Sequence, residues 1–522
     1  MLVKTFCAAV MGLEATTITI EVNMTRGVMF HLSGLADTAV KESYDRIRAA
    51  MVNVGFKPPT ADLTINLSPA DIRKEGSGYD LPLAIGILAA HGKISETMLA
   101  DYMMIGELGL DGKLKPISGA LPVAIRARKE HFKGLLVPCE NAREAAVVDD
   151  LAVYAMDNLS DVISFLNGDG QYEPTLVDTR REFYEQQYSF DLDFADVKGQ
   201  ESVKRALEVA AAGGHNLMMI GSPGSGKSMM AKRLPGILPP LSLAESLETT
   251  QIHSVAGKLS NGTSLISQRP FRSPHHTISQ VAMTGGTNKA QPGEVSLAHN
   301  GVLFLDELPE FSKTTLEVLR QPLEDRKITI SRAKYTVEYP CSFMFVASMN
   351  PCPCGYYGDP SHRCVCTPGQ IGRYLSKISG PLLDRIDIQV EVQNVPFKDL
   401  SQMAPGEPSA VIRERVIKAR NIQTARFSSL TLDEGGGRGI HCNAQMTERT
   451  LHRFAEPDSA SMEMLRMAME RLKLSARAYS RILKVARTIA DLAGSDRVES
   501  VHIAEAIGYR NLDRGDWTER GI

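Results

Sequence analysis

Apolar residues alternate with polar ones at Ile18, Ile20 and Val22, and again at Leu63, Ile65 and Leu67, which predicts half-buried strands. Between them Val40, Tyr44, Ile47 and Met51 recur at spacings of four, three and four, the period of an amphipathic helix. Residues 1–170 therefore read as an α+β unit. The stretch around 167–195 is polar and has no steady period, so 171–193 reads as a linker. From 194 to 400 the pattern changes to short apolar runs, Leu217 to Ile220 and Val302 to Leu305, with a further and mostly apolar one at Phe343 to Ser348. These predict buried strands, and ITISRAKYTVEY (328–339) predicts a hairpin. After the turn-rich SQMAPGEPSA, residues 401–522 are helical by period, at Met462, Leu465, Met469 and Leu472 and then Ile482, Val485 and Ile489. The glycine run Gly435 to Gly437 interrupts them as a loop. No internal repeat or low-complexity tract is evident.

Composition narrows the class. At ~150 residues per domain, 522 residues predict three or four compact units. Hydrophobic content of 43% and charged content of 23% are ordinary for globular chains, and no apolar stretch approaches the ~18 residues of a membrane span. The start, MLVKTFCAAVMGLEATT, carries one lysine and a short apolar patch followed by Glu14 and a strand, so it reads as mature cytoplasmic sequence. A net charge of −3 excludes a uniformly basic nucleic-acid coat but permits a local basic channel.

The apolar runs end in chemistry. Behind Leu217 to Ile220 comes GSPGSGKS, that is Gly221, Ser222, Pro223, Gly224, Ser225, Gly226, Lys227 and Ser228. A glycine-rich turn lets successive N–H groups face phosphate oxygens, Lys227 neutralises β/γ charge and the Ser228 hydroxyl can hold Mg²⁺. Some eighty residues on, the second run ends in Asp306 and Glu307, a Mg²⁺ partner and a group placed to polarise the attacking water. Asn350 follows the third run, where an amide can orient water against the γ-phosphate. This set predicts binding and hydrolysis of ATP with Mg²⁺.

Together with these, DVKGQ (196–200), FRSPHH (271–276), GEVSLAHNGVLFLDELPEF (293–311), NPCPCG (350–355), GPLLDRIDI (380–388) and SARAYSRILKVARTIADL (475–492) resemble the ComM/YifB family, magnesium-chelatase-like AAA+ ATPases, along essentially the whole chain. The resemblance implies an α/β multidomain protein: an AAA+ P-loop core with a helical lid, preceded by an α+β, Lon-protease-like (S5-like) domain. It also implies a homohexameric ring, a helix-2 insert and a hairpin facing the central pore. Within it Asn350 matches sensor 1, Arg385 the arginine finger lent to a neighbouring subunit and Arg477 the sensor 2 arginine. Read without the family, Arg385 is a salt-bridge partner of Asp384 or Asp387, and Arg477 an exposed helix cation. The implied function is an ATP-driven motor on single-stranded or branched DNA, a helicase promoting branch migration in recombination or natural transformation. An ATP-dependent Lon-like protease, a metal-insertion subunit and a protein-remodelling chaperone are the alternatives.

Five features stay open at this level. RKEGSGYDLPLAIGIL (73–88) and GKLKPISGALPVAIRA (112–127) are similar to the proteolytic domain of Lon, but its serine position falls on Gly78 and its lysine position on Leu121. Neither Ser77 nor Lys113 or Lys115 matches, so the fold is expected without peptidase chemistry. Arg332 and Lys334, at the hairpin tip, either grip a phosphate backbone or form a solvated turn. Cys352, Cys354, Cys364 and Cys366, with His362 as a substitute, either close a tetrahedral Zn²⁺ site or remain reduced thiols. His275 and His276 are either hydrogen-bonded loop residues or parts of the insert that follow nucleotide state. Arg413, Arg415, Lys418, Arg420 and Arg426 make one helix cationic, as DNA binding or an ordinary solvated face would require.

Overall fold

The computed structural model describes residues 2–260, 262–286, 290–332, 335–359, 363–394, 404–431, 439–472 and 474–510. The first unit holds strands β1 (Leu2–Met11), β2 (Glu14–Thr25), β3 (Phe30–Ser33), β4 (Asp62–Ser68), β5 (Tyr102–Met104), β8 (Gly134–Pro138) and β9 (Ala152–Met156), with β6 (Glu107–Leu108) and β7 (Leu114–Lys115) forming a separate ribbon. Its seven-stranded sheet runs β3-β4-β2-β1-β5-β8-β9. The alternating residues Ile18, Ile20, Val22, Leu63, Ile65 and Leu67 all face its core. The helical period at Val40 to Met51 spans two helices, Thr38–Lys41 and Ser43–Asn53, parted at Glu42. Helix Asp80–Ala90 is buried along its whole length, and its one charge, Asp80, takes both oxygens to Arg46 at 2.9 Å.

Within 171–193 the chain forms a helix, Thr179–Gln186, where polar composition predicts a loose linker. Its anchors are tertiary. Phe183 is buried, and Glu182 accepts from Arg143 at 2.7 and 2.9 Å and from Ser264 Oγ at 2.8 Å.

The middle unit is a parallel sheet, β11 (Phe271–Arg272), β12 (Val302–Leu305), β15 (Met344–Met349), β10 (Leu217–Gly221) and β16 (Ile388–Val392), in that order across it. The apolar runs follow from burial on both faces. The hairpin of β13 (Lys327–Arg332) and β14 (Tyr335–Pro340) is a separate two-stranded ribbon whose Ile328, Ile330, Val337 and Tyr339 are buried in one apolar cluster with Leu303, Leu305 and Phe345 of the sheet. The last unit is helical, with Ser459–Leu472 and Ala476–Ala493 where the period predicts them. A buried polar network ties it to the core: His215 bridges Asp387 and Thr488 at 3.2 and 2.8 Å. Burial opposes charge on Asp387, but Arg481 and His215 hold its carboxyl well below the usual range. No helix among the described residues is long and apolar enough to cross a membrane.

The first unit docks on the middle one through helices Ala120–Lys129 and Leu243–Val255. Glu144 is buried in that joint and accepts from Ser254 Oγ at 3.3 Å. Burial pushes its carboxyl from 4.5 up to about 7, against hydrogen bonds from Ser254 and the N–H groups of Ala120 and Leu121. Because the folded state holds this proton more tightly than the unfolded chain, the contribution of Glu144 to stability is full below about pH 4.5 and is lost as pH rises through 7, by roughly 3 kcal/mol. The melting temperature is expected to drop between pH 5 and pH 8, and Glu144→Gln to flatten that drop. Identical pH slopes for the two proteins would refute the assignment.

Candidate active site

All five strands of the core sheet are parallel, so their carboxyl ends share one edge, and that edge gathers the phosphate loop, Asp306 and Asn350. Gly224 and Gly226 take φ of +79° and +90°, the left-handed region that favours glycine, and helix Lys227–Arg233 begins directly after. The Lys227 ammonium is folded into the loop, donating to the carbonyls of Gly221 and Ser222 at 2.7 and 2.9 Å and to Asn350 Oδ1 at 3.3 Å. Burial lowers its pKa while Asp306 and Glu307 oppose the shift. Ser228 Oγ donates to Asp306 Oδ2 at 2.5 Å, and Ser348 Oγ donates to the other carboxylate oxygen. Ser228 and Asp306 thus stand where one cation can take both.

Glu307 differs from its neighbour. Its backbone lies at φ 54°, ψ 51°, its N–H donates to Asp306 Oδ1 at 3.1 Å, and its side chain is 56% exposed. His276 Nδ1 lies 4.0 Å from Glu307 Oε2, and the rings of His275 and His276 meet with centroids 4.0 Å apart at a tilt of 35°. The pair follows β11, which lies beside β12, and so reaches the same edge. A two-residue strand gives too short a pattern for the sequence to reveal this neighbour of Glu307.

Arg385 and Arg477 are elsewhere. The Arg385 carbonyl accepts from Asn216 Nδ2 at 2.8 Å, at the start of β10, whereas the phosphate loop leaves from its end. The rise of an extended chain separates these points by roughly 16 Å. The Arg385 guanidinium donates to Pro381 O at 2.7 Å and pairs with Glu324, and its Nε is buried with no partner among the described residues. Arg477 pairs with Asp384 at 2.9 Å and is 68% exposed. Both line a cleft of about 580 Å³ with Arg481, Lys484 and Asp384. The structure therefore joins Asn350 to Lys227 and keeps both arginines away from them.

The four cysteines come together. Cys352 Sγ lies 3.4 Å from Cys354 Sγ and 3.7 Å from Cys364 Sγ, Cys354 and Cys364 are 3.5 Å apart, and all four sulfurs fall within 4.8 Å of one another. The cluster can hold a metal ion. Burial opposes ionisation of Cys354, yet the N–H groups of Tyr356 and Val365 bring its pKa below the ordinary thiol value. His362 lies outside the described residues, as do Lys334 and Gly435 to Gly437. Arg332 ends β13, opposite Tyr335.

The cationic helix, Ser409–Phe427, spends most of its charge internally. Arg415 pairs with Glu407 and Glu208, Arg426 with Asp491, Arg413 donates to Gly236 O, and Arg420 donates to the carbonyls of Ala211 and Ala212. In the first unit Ser77 Oγ donates to Glu107, which has Lys115 Nζ 3.8 Å away, while Leu121 is buried apolar core. Ser77 is thus bonded to a carboxylate, where a Ser/Lys dyad requires an amine.

Three family models match consecutive parts of the chain: subunit ChlI of Mg-chelatase at residues 20–141, magnesium chelatase, subunit ChlI, at 193–400, and the ChlI C-terminal region at 406–510. The chain is 42% identical to competence protein ComM of Haemophilus influenzae, over 98% of this chain and 97% of that one. It is 43% identical to the protein YifB of Escherichia coli, over 97% and 96%. A shorter similarity, 30% identity over 145 residues, 27% of this chain and 26% of the other, links it to Lon protease 2 of Bacillus subtilis. Shared identity along nearly the full length of both partners, and not the local phosphate loop alone, makes the chain a member of the magnesium-chelatase-like ComM/YifB family.

Proposed function

We propose that the protein is an ATP hydrolase working as a ring of identical subunits, a homohexamer, that moves along single-stranded or branched DNA. The observation that carries the reading is the division of its catalytic set between two ends of one sheet. Lys227, Ser228, Asp306, Glu307 and Asn350 meet at the carboxyl edge, and Arg385 and Arg477 present cations beyond the opposite edge. A guanidinium placed there serves a nucleotide held by an adjoining copy, where it can stabilise charge on the transferring phosphoryl group.

In this reading Gly221 to Ser228 cradle the phosphates, Lys227 exchanges its bonds to loop carbonyls for phosphate oxygens, and Asn350 and Glu307 orient water. Mg²⁺ at Ser228 and Asp306 neutralises phosphate charge when bound. Zn²⁺ is the metal assigned to the four cysteines. The first unit is taken as a Lon-like fold serving as scaffold or DNA-guiding collar, its dyad positions being Gly78 and Leu121. The location is taken as cytoplasmic.

DNA as the track is supported by the word competence in the name of the Haemophilus relative and by two cations between the hairpin strands in the sequence, Arg332, which ends β13, and Lys334 two residues on. One cationic tip from each subunit would grip phosphates without regard to sequence. The test is migration of a synthetic four-way junction. Wild type is expected to process it with ATP, Lys227→Ala to fail at ATP turnover, and Arg332→Ala/Lys334→Ala to keep turnover while losing junction processing. ATP turnover stimulated by unfolded protein and indifferent to DNA would overturn the DNA reading in favour of a chaperone.

A further inference from the structure

The cysteine loop is part of the nucleotide site. It leaves the end of β15 at Asn350, reaches its first cysteine two residues later, and turns at once, with Gly355 N donating to Cys352 O at 3.0 Å. Gly355 takes φ +86°, and a Cβ added there would stand 2.5 Å from Pro223 Cδ in the phosphate loop and 3.9 Å from Asn350 Cγ. Asn394 Nδ2 adds a tie from above, donating to Ser222 Oγ at 2.8 Å and to Asp359 Oδ2 at 3.3 Å. On the other side of the loop, the Asn350 N–H bonds the buried Tyr374 hydroxyl, in helix Pro368–Leu375. The segment thus lies against the phosphate loop at Pro223, is bridged to Ser222 through Asn394, and brackets Asn350.

Little apolar matter holds it there. Among the described residues of 351–367 there is no helix or strand, only Pro351 and Cys352 are buried apolar side chains, and Val365 is 80% exposed. A loop of this length without a core of its own needs another source of order. Its sulfurs supply one. A tetrahedron with bonds of about 2.3 Å has edges of about 3.8 Å, close to the 3.4 to 3.7 Å separations of the three sulfurs Cys352, Cys354 and Cys364. Cys366 completes the set, its Sγ accepting from Cys354 N at 3.4 Å while its own N–H donates to Cys364 Sγ at 3.4 Å. An all-thiolate set without a water position is that of a closed structural site, and zinc is its usual non-redox occupant.

We infer that one Zn²⁺, held by Cys352, Cys354, Cys364 and Cys366, fixes Pro223 and Asn350 against the phosphates, so that nucleotide affinity depends on zinc. The inference rests on the ATP-site reading above. Zinc is here a positioning element that touches no reacting atom. Its loss frees the turn at Gly355, and nucleotide must then re-order that turn on binding.

The test uses full-length protein, metal analysis and titration with a fluorescent ATP analogue. About one zinc per chain is expected in wild type, and Cys364→Ser, at the far end of the loop from Asn350, should lose it. Chelation of wild type should weaken analogue binding by roughly tenfold or more, the scale of ordering a single residue, and added zinc should restore it. Gly355→Ala retains all four sulfurs and should retain zinc, yet its methyl meets Pro223 and should weaken analogue binding similarly. Iron in place of zinc, no metal, or zinc whose removal leaves affinity unchanged would each overturn the inference. Zinc-loaded wild type that fails to bind the analogue at all would instead sink the ATP-site reading.

Discussion

Arg385→Ala is expected to bind ATP normally and to hydrolyse it at least ~10³-fold more slowly, the effect of removing a guanidinium from phosphoryl transfer. The more telling result is a mixture. Arg385 joins the chain near Asn216, a full strand length from the phosphate loop, and its partners there are Glu324 and Pro381 O. It therefore has no route to the nucleotide of its own subunit. A Lys227→Ala subunit fails for the opposite reason, since it keeps both arginines and loses the phosphate ligand. Mixed in one ring, the two inactive proteins should form interfaces at which ATP held by the first meets Arg385 of the second, and turnover should reappear. Arg477→Ala should be rescued by the same partner, because Arg477 shares that cleft and pairs with Asp384. Turnover that never rises above the sum of the two separate proteins would place the arginines in cis or outside catalysis altogether.

This division of the site marks the limit of what the sequence could tell. Leu217 to Ile220 and Val302 to Leu305 are wholly apolar, and Phe343 to Ser348 apolar but for its last residue, because both faces of a parallel sheet are covered, and polar groups follow them because the strands end at one wet edge. Hence Lys227, Asp306 and Asn350 were legible as a set. Arg385 precedes β16 and Arg477 opens a lid helix, and periodicity alone does not say at which end of a sheet either will lie. The helix Thr179–Gln186 was missed because its order comes from Phe183, Arg143 and Ser264 and hardly from its own pattern. The cations of Ser409–Phe427 read as a DNA-binding or a solvated face for a related reason, since their partners Glu208, Asp491 and the Ala211 and Ala212 carbonyls are remote in sequence. In the cysteine segment, spacing left zinc and free thiols equally open, and only the meeting of two C-x-C pairs gives a four-sulfur cage.

Glu307→Gln should separate binding from chemistry more cleanly than any change at Asp306. Both oxygens of Asp306 are already engaged, one by Ser228 and the other by Ser348 and the Glu307 N–H, so its task is to hold the loop serine and a cation in register. Replacing it with asparagine disturbs that geometry as well as the charge, and nucleotide binding should weaken with it. The Glu307 carboxylate is more than half exposed, stands at the same strand end and has the His276 imidazole nearby. Its removal as a water-polarising group is expected to lower turnover by ~10²- to 10⁴-fold. Glutamine has the same length and no greater strain at φ 54°, so Ser228, Asp306 and Lys227 keep their arrangement and affinity for ATP should remain within a few-fold of wild type. Equilibrium binding and single-turnover phosphate release measured on one preparation distinguish the two carboxylates. A Glu307→Gln protein that releases phosphate within tenfold of the wild-type rate would move the water-polarising role to another group, and the histidine beside it would be the next residue to replace.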